Sequence, residues 1–353
     1  MYNNQPNGYY GGRAPKRLTV SGLFRDPEFR FNRLLFFTGN VIGLGVVGYL
    51  AMSFMFSLML KMNGRIYGLY DGDLAYRYLL EILYSFFCVG APFLIVYIIL
   101  KNKSGIDDLR VPLGKAFPGA DMYLLIPAGL GVCFIGSVLT NYFAAWADSN
   151  GFGFNSYYEA LNDPGAPDGV AGVIILILHS AVVPAIVEEL AFRGVVMQTL
   201  RKFGDVFAIV SSAVLFGLIH ANMTQVPFAI VAGIALGYCA TVTGTLRTSI
   251  TVHFLNNFVS VMVTLISRYF GDTPATVFSS VAMYGFIIIG LIAFAVYALR
   301  HPYLTRLRPG RFGAVQKKAA CFFLAPVMAA AILWVAWYII LDVSPVYDFF
   351  NPV

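Results

Sequence analysis

The chain has 353 residues, of which 58% are hydrophobic and 12% charged, with a mean hydropathy of +0.72 and a net charge of +6. Soluble globular domains carry about 25% charged residues, so the composition excludes one and requires a membrane protein. The basic balance would suit nucleic acid. However, the Lys and Arg residues fall in loops between apolar runs with no DNA- or RNA-binding motif around them. No nucleic-acid partner is therefore expected, and the charges read as topology and contact with the lipid bilayer's anionic headgroups.

Residues 1–33 read as a cytoplasmic tail, disordered to about Pro15 and then basic, with Arg13, Lys16, Arg17, Arg25, Arg30 and Arg33 ahead of the first apolar run. That run, Leu34 to Leu60, lacks a cleavage pattern after a short core and is expected to stay as a transmembrane helix. Eight more apolar segments follow: Tyr78 to Leu100, Met122 to Ala147, Val170 to Leu200, Val206 to Ile219, Val226 to Val242, Ile250 to Tyr269, Val277 to Leu299 and Ala319 to Leu341. The fifth and sixth of the nine are short and could be partly re-entrant, so eight to nine crossings are predicted. The expected fold is all-α, a polytopic transmembrane helical bundle. Its parts are N-terminal helices over 34–147, a core over 170–269 and C-terminal helices over 277–341.

Charge tests that topology. Alternate loops carry 19 Lys and Arg on one side and four on the other, Lys61, Arg65, Arg77 and Arg268, while Asp148 to Gly169 holds four acids and no base. The N-terminus is therefore expected inside and the C-terminus outside. Cys88, Cys133, Cys239 and Cys321 each fall in an apolar run without a C-x-x-C pair and read as buried thiols. Gly233-x-x-x-Gly237 and Ser211-Ser212 before Gly217 permit close helix packing, with incidental glycine as the alternative.

Chemistry concentrates in the segment V-E-E-L-A-F-R-G, Val187 to Gly194. Ionisable groups at membrane depth are costly and mark places where charge is needed. Glu188 and Glu189 point about 100° apart on a helix, so one faces any given cavity squarely. Glu189 and Arg193, at i and i+4, can pair, leaving Glu188 freer to act as a base; a buried pair that only fixes packing is the alternative. Pro184 removes a backbone donor just before the glutamates and is expected to kink the helix. Phe216-x-x-x-His220 and His253-x-x-x-Asn257 add two imidazoles and a carboxamide. At about 1.5 Å per residue from the basic ends, Glu188 lies about 21 Å in, His220 about 22 Å, His253 about 9 Å and Asn257 about 15 Å. His220 is thus the expected partner of Glu188, and His253 reaches the site only if its helix tilts or starts deeper. His179 reads as a packing residue or an extra polar wall, and His301 as a loop residue.

E-E-x-x-x-R, F-x-x-x-H and H-x-x-x-N, in this order across successive apolar segments, resemble the CAAX protease and bacteriocin-processing (CPBP, or Abi) intramembrane endopeptidases. The resemblance covers about Val170 to Ile266. It implies a CAAX prenyl endopeptidase type II-like peptidase in which Glu188 and His220 activate water and His253 and Asn257 hold the oxyanion. Glu189, Arg193 and Phe216 support them. The family has been described both as metalloproteases and as metal-independent glutamic proteases. This chain has no H-E-x-x-H, and no cofactor is expected; a zinc site would use Glu188, His220 and His253. The implied partner is a membrane-associated peptide or protein substrate, such as a pheromone, a bacteriocin precursor or an anchored regulator. The implied location is the plasma membrane of a bacterium. A catalytically inactive scaffold or bacteriocin immunity protein of the same fold is the alternative, and a proton-coupled carrier ranks third.

Overall fold

The computed structural model describes residues 26–103, 105–106, 109–114, 121–154, 165–301, 307–310 and 312–343. Among these, eleven helices occur in chain order: α1 (Pro27–Met62), α2 (Gly64–Gly72), α3 (Leu74–Lys101), α4 (Asp121–Ser149), α5 (Gly169–Phe203), α6 (Asp205–Leu218), α7 (Val226–Thr243), α8 (Leu246–Phe270), α9 (Asp272–Arg300), α10 (Val315–Phe323) and α11 (Pro326–Leu341). Extended pairing among the described residues is limited to one isolated bridge, Phe154 with Val343. Seven helices (α1, α3, α4, α5, α7, α8 and α9) are long and apolar enough to cross a membrane, and α10 with α11 makes an eighth if counted as one span. The protein is an all-α, multi-pass membrane bundle.

Several boundaries have local causes. The expected tail falls largely on residues 1–25, which lie outside the described residues, but α1 starts at Pro27 rather than at Leu34. Asp26 caps it by accepting from the Glu28 amide at 2.9 Å, and proline suits the first turn, where no donor is needed. The expected helix Ala319 to Leu341 is instead broken before Pro326, where α10 and α11 meet at 80°. Glycines on α1 receive the break: a Cβ on Gly39 would sit 2.6 Å from the Phe322 carbonyl oxygen, and one on Gly43 2.6 Å from the Met328 nitrogen. α6 has only 14 residues, short of a full span.

Small residues bring the helices together, because lipid offers no hydrophobic drive for helix association. Gly131 on α4 and Gly290 on α9 face each other so closely that a Cβ on Gly290 would lie 2.7 Å from the Gly131 Cα. Gly233 on α7 is as tight against Ala213 on α6, at 2.9 Å.

Cross-links define two ends of the bundle. At one, Asp205 binds Arg201 at 2.8 Å and the Arg308 amide at 2.9 Å, Lys318 donates to the Phe203 carbonyl at 3.0 Å, and His301 meets Asp121 at 2.9 Å. At the other, the Met223 amide donates to Asp342 at 2.9 Å, the Tyr78 hydroxyl donates to the Gly165 carbonyl at 2.9 Å, and Arg268 pairs with Asp168. The first end is basic, with twelve Lys and Arg against four carboxylates among the described residues. His301 is thus not simply a loop residue, since it joins the start of α4 to the end of α9.

Candidate functional site

α5 carries the site because its winding changes twice. Wide π turns at Leu178–Val182 and Leu190–Met197 flank the α-helical segment Val183–Glu189, and Pro184, which has no N–H, lies in the first turn of that segment. The neighbouring carboxylates end up in different surroundings. Glu188 lines a cavity of about 400 Å³, with its side chain 19% exposed, whereas Glu189 is fully buried behind it.

Behind the wall, Arg193 Nη1 donates to Glu189 Oε1 at 2.6 Å, Arg193 Nη2 donates to the Gly233 carbonyl at 3.3 Å, and both side chains are 0% exposed. The guanidinium lies 4.2 Å from the centroid of the Phe216 ring, a cation–π contact worth about 2 kcal/mol when desolvated. Phe216 also meets His220 edge-on at 5.1 Å and His253 at 5.9 Å, so one ring spaces the cation and both imidazoles. Among the described residues, Glu189 Oε2 and Arg193 Nε have no hydrogen-bond partner, an arrangement that costs about 1–3 kcal/mol per atom.

His220 is held by a locked turn. α6 ends at Leu218, and Ala221 then adopts φ +54°, which is unusual for a residue with a side chain. The Tyr49 hydroxyl on α1 donates to the Ile219 carbonyl at 3.0 Å, Asn222 Nδ2 donates to the His220 carbonyl at 3.2 Å, and Asp342 holds the Met223 amide. His220 Nδ1 donates to the Phe216 carbonyl at 2.7 Å, so the neutral ring presents the Nε2 lone pair.

His253 and Asn257 come from α8 and line the same cavity as Glu188 and His220. The depth mismatch expected for His253 disappears because α8 starts inside the bundle. Leu246 is fully buried, and its amide donates to the Pro112 carbonyl at 2.8 Å. This reverses the expected order of partners. His253 Nδ1 is 3.2 Å from Glu189 Oε1 and Nε2 is 3.8 Å from Glu188 Oε2, whereas among the described residues no ion pair joins Glu188 to His220. Asn256 Nδ2 donates to Asn257 Oδ1 at 3.2 Å, which leaves the Asn257 amide NH₂ as a free donor.

Zinc held by Glu188, His220 and His253 would take the Nε2 lone pairs of the two imidazoles; a neutral His253 that donates Nδ1–H to Glu189 presents Nε2 towards Glu188 Oε2, 3.8 Å away. Among the described residues no group of three His, Cys, Asp or Glu side chains could hold a metal ion.

Residues that sequence reasoning passed over also reach the site. Glu81, inside the apolar part of α3, binds His179 Nε2 at 2.8 Å; His179 Nδ1 is 3.0 Å from the hydroxyl of Ser180, which lines the cavity. His179 therefore does more than pack, although its ring also stacks on Tyr78 at 4.5 Å. An acid within an apolar run was the available signal for Glu81.

Fold and cavity together define a multi-pass membrane protein with carboxylate and imidazole groups gathered in a polar pocket inside the bundle. Residues 170–259 match the family Rce1-like, described as type II CAAX prenyl endopeptidase Rce1-like. Over that segment the chain is similar to this family of membrane proteases. No curated protein and no solved structure matches the chain.

Proposed function

We propose that the protein is an intramembrane endopeptidase that hydrolyses a peptide bond of a membrane-associated protein or peptide. One observation carries this reading: Glu188 from α5, His220 from the turn after α6, and His253 and Asn257 from α8 line one cavity while Glu189 and Arg193 are sealed behind it. Water held by Glu188 and His220 Nε2 attacks the scissile carbonyl carbon, and its proton passes to that pair as the C–O bond forms. The carbonyl electron pair moves to oxygen, where Asn257 Nδ2 and His253 donate to it. Collapse breaks the C–N bond, and the stored proton goes to the departing amine. Glu189 positions His253, and Arg193 with Phe216 holds Glu189.

In this reading the protein needs no resident metal, has no nucleic-acid partner and sits in a bacterial plasma membrane with its N-terminus in the cytoplasm. Its substrate is a peptide such as a pheromone, a bacteriocin precursor or an anchored regulator. The test is mass spectrometry of peptides from cells with the wild type, with Glu188→Gln and without the protein. Products should appear with the wild type alone, while the purified variant keeps its unfolding temperature. A fully active Glu188→Gln protein would overturn the reading.

A further inference from the structure

We propose that the cavity opens at the acidic end of the bundle and takes a peptide presented from that side, with basic residues flanking the segment that enters. The position of the cavity along its helices argues for the opening. At about 1.5 Å per residue, its floor at His253 lies about 10 Å from the start of α8. The wall then climbs to Thr264, about 27 Å along α8, and to Ser180, about 35 Å from the basic end of α5. Gln225, in the turn before α7 at the acidic end, completes the rim. Below the floor the bundle is closed: Arg193, Met197, Leu200 and Leu246 are all 0% exposed, and Thr245 Oγ1 donates to the Leu113 carbonyl at 3.3 Å.

Charge argues for the kind of peptide. The described residues at the open end carry seven carboxylates, among them Asp148, Asp168 and Asp342, against the four bases Lys61, Arg65, Arg77 and Arg268. One carboxylate connects to the cavity wall through hydrogen bonds: Tyr70 donates to Glu81 Oε1 at 2.7 Å, Glu81 Oε2 meets His179 Nε2 at 2.8 Å, and His179 Nδ1 meets Ser180 Oγ at 3.0 Å. A polar recess with apolar walls concentrates such a field and draws in cations. The excess of Lys and Arg at the closed end places the open end outside the cytoplasm.

This inference rests on the protease reading only for what happens to the peptide, and its test needs no activity. The full chain, with its four native cysteines replaced and a single cysteine at Thr264, is exposed to a membrane-impermeant thiol reagent in right-side-out and in inverted vesicles. Thr264→Cys should react about tenfold faster in right-side-out vesicles, the contrast a sealed bilayer imposes on a charged reagent; Lys202→Cys should show the reverse. Ser260→Cys replaces Thr264→Cys if the latter fails to fold. Labelling of the cavity cysteine from the inverted side, or equally from both, overturns the proposed opening. An apolar peptide bearing three lysines should slow that labelling where its three-glutamate counterpart does not, and Glu81→Gln should weaken the protection. Equal protection by both peptides overturns the charge preference. Because Glu188→Gln protein can be labelled in the same way, failure of the hydrolytic reading remains separable from failure of this one.

Discussion

Glu188 and Glu189 are chemically identical and adjacent in the chain, yet they occupy different media. One borders a polar cavity; the other is buried against a guanidinium and an imidazole. Burying an ion pair is costly, and removing one member leaves the survivor uncompensated. Glu189 should thus answer to stability measurements and Glu188 to activity measurements. A charge inside a membrane protein takes its role from what surrounds it.

The comparison can be broken by substitution. Glu188→Gln should abolish cleavage with little change in thermal unfolding, measured by product formation and by calorimetry. Arg193→Met should cost about 3–5 kcal/mol, because Glu189 is left buried and unpaired. In denaturant titration, adding Glu189→Leu to that variant should restore part of the loss. Without that restoration, the pair would not be acting as a unit.

The basic end offers a milder contrast, since its ions meet water. Burial pushes the Asp205 carboxyl up, and hydrogen bonds from Arg201 and Arg308 more than offset it, so the group stays below the usual carboxylate range. A depressed folded value means that its stabilisation is complete above about pH 4 and is lost as pH falls through the folded value. Asp205→Asn should therefore cost about 2 kcal/mol near neutral pH, and the gap to wild type should close in acid. A gap that stays constant would remove ionisation from the account. The smallest effect is expected at Ala221. Glycine there relieves the positive φ, so stability should change by no more than about 1 kcal/mol. Any loss of activity would then report a looser His220.

Much of this was legible in the sequence. Eight of the nine apolar segments reappear as single helices, seven of them long enough to cross a membrane, and the ninth as the bent pair α10 and α11, because a span of hydrocarbon dictates length and composition; the motifs mark the elements that line the cavity. What stayed hidden depends on tertiary placement. A depth counted from the basic residue Arg247 places His253 too shallow, since the sequence does not say that α8 begins beneath the 109–114 segment. The break before Pro326 was signalled by proline, but its 80° size follows from how α10 and α11 pack on Gly39 and Gly43. Glu81 was visible as an acid in an apolar run; its link through His179 to Ser180 needed three-dimensional proximity.

The Tyr49 hydroxyl reaches from α1 to the carbonyl beside His220, and α1 lies far outside the segment that matches the family. The unit recognised by similarity is therefore not self-sufficient. A fragment or chimera preserving residues 170–259 would inherit every motif yet lose a strut that aims one of its imidazoles, so swaps between relatives need to carry the first helix along.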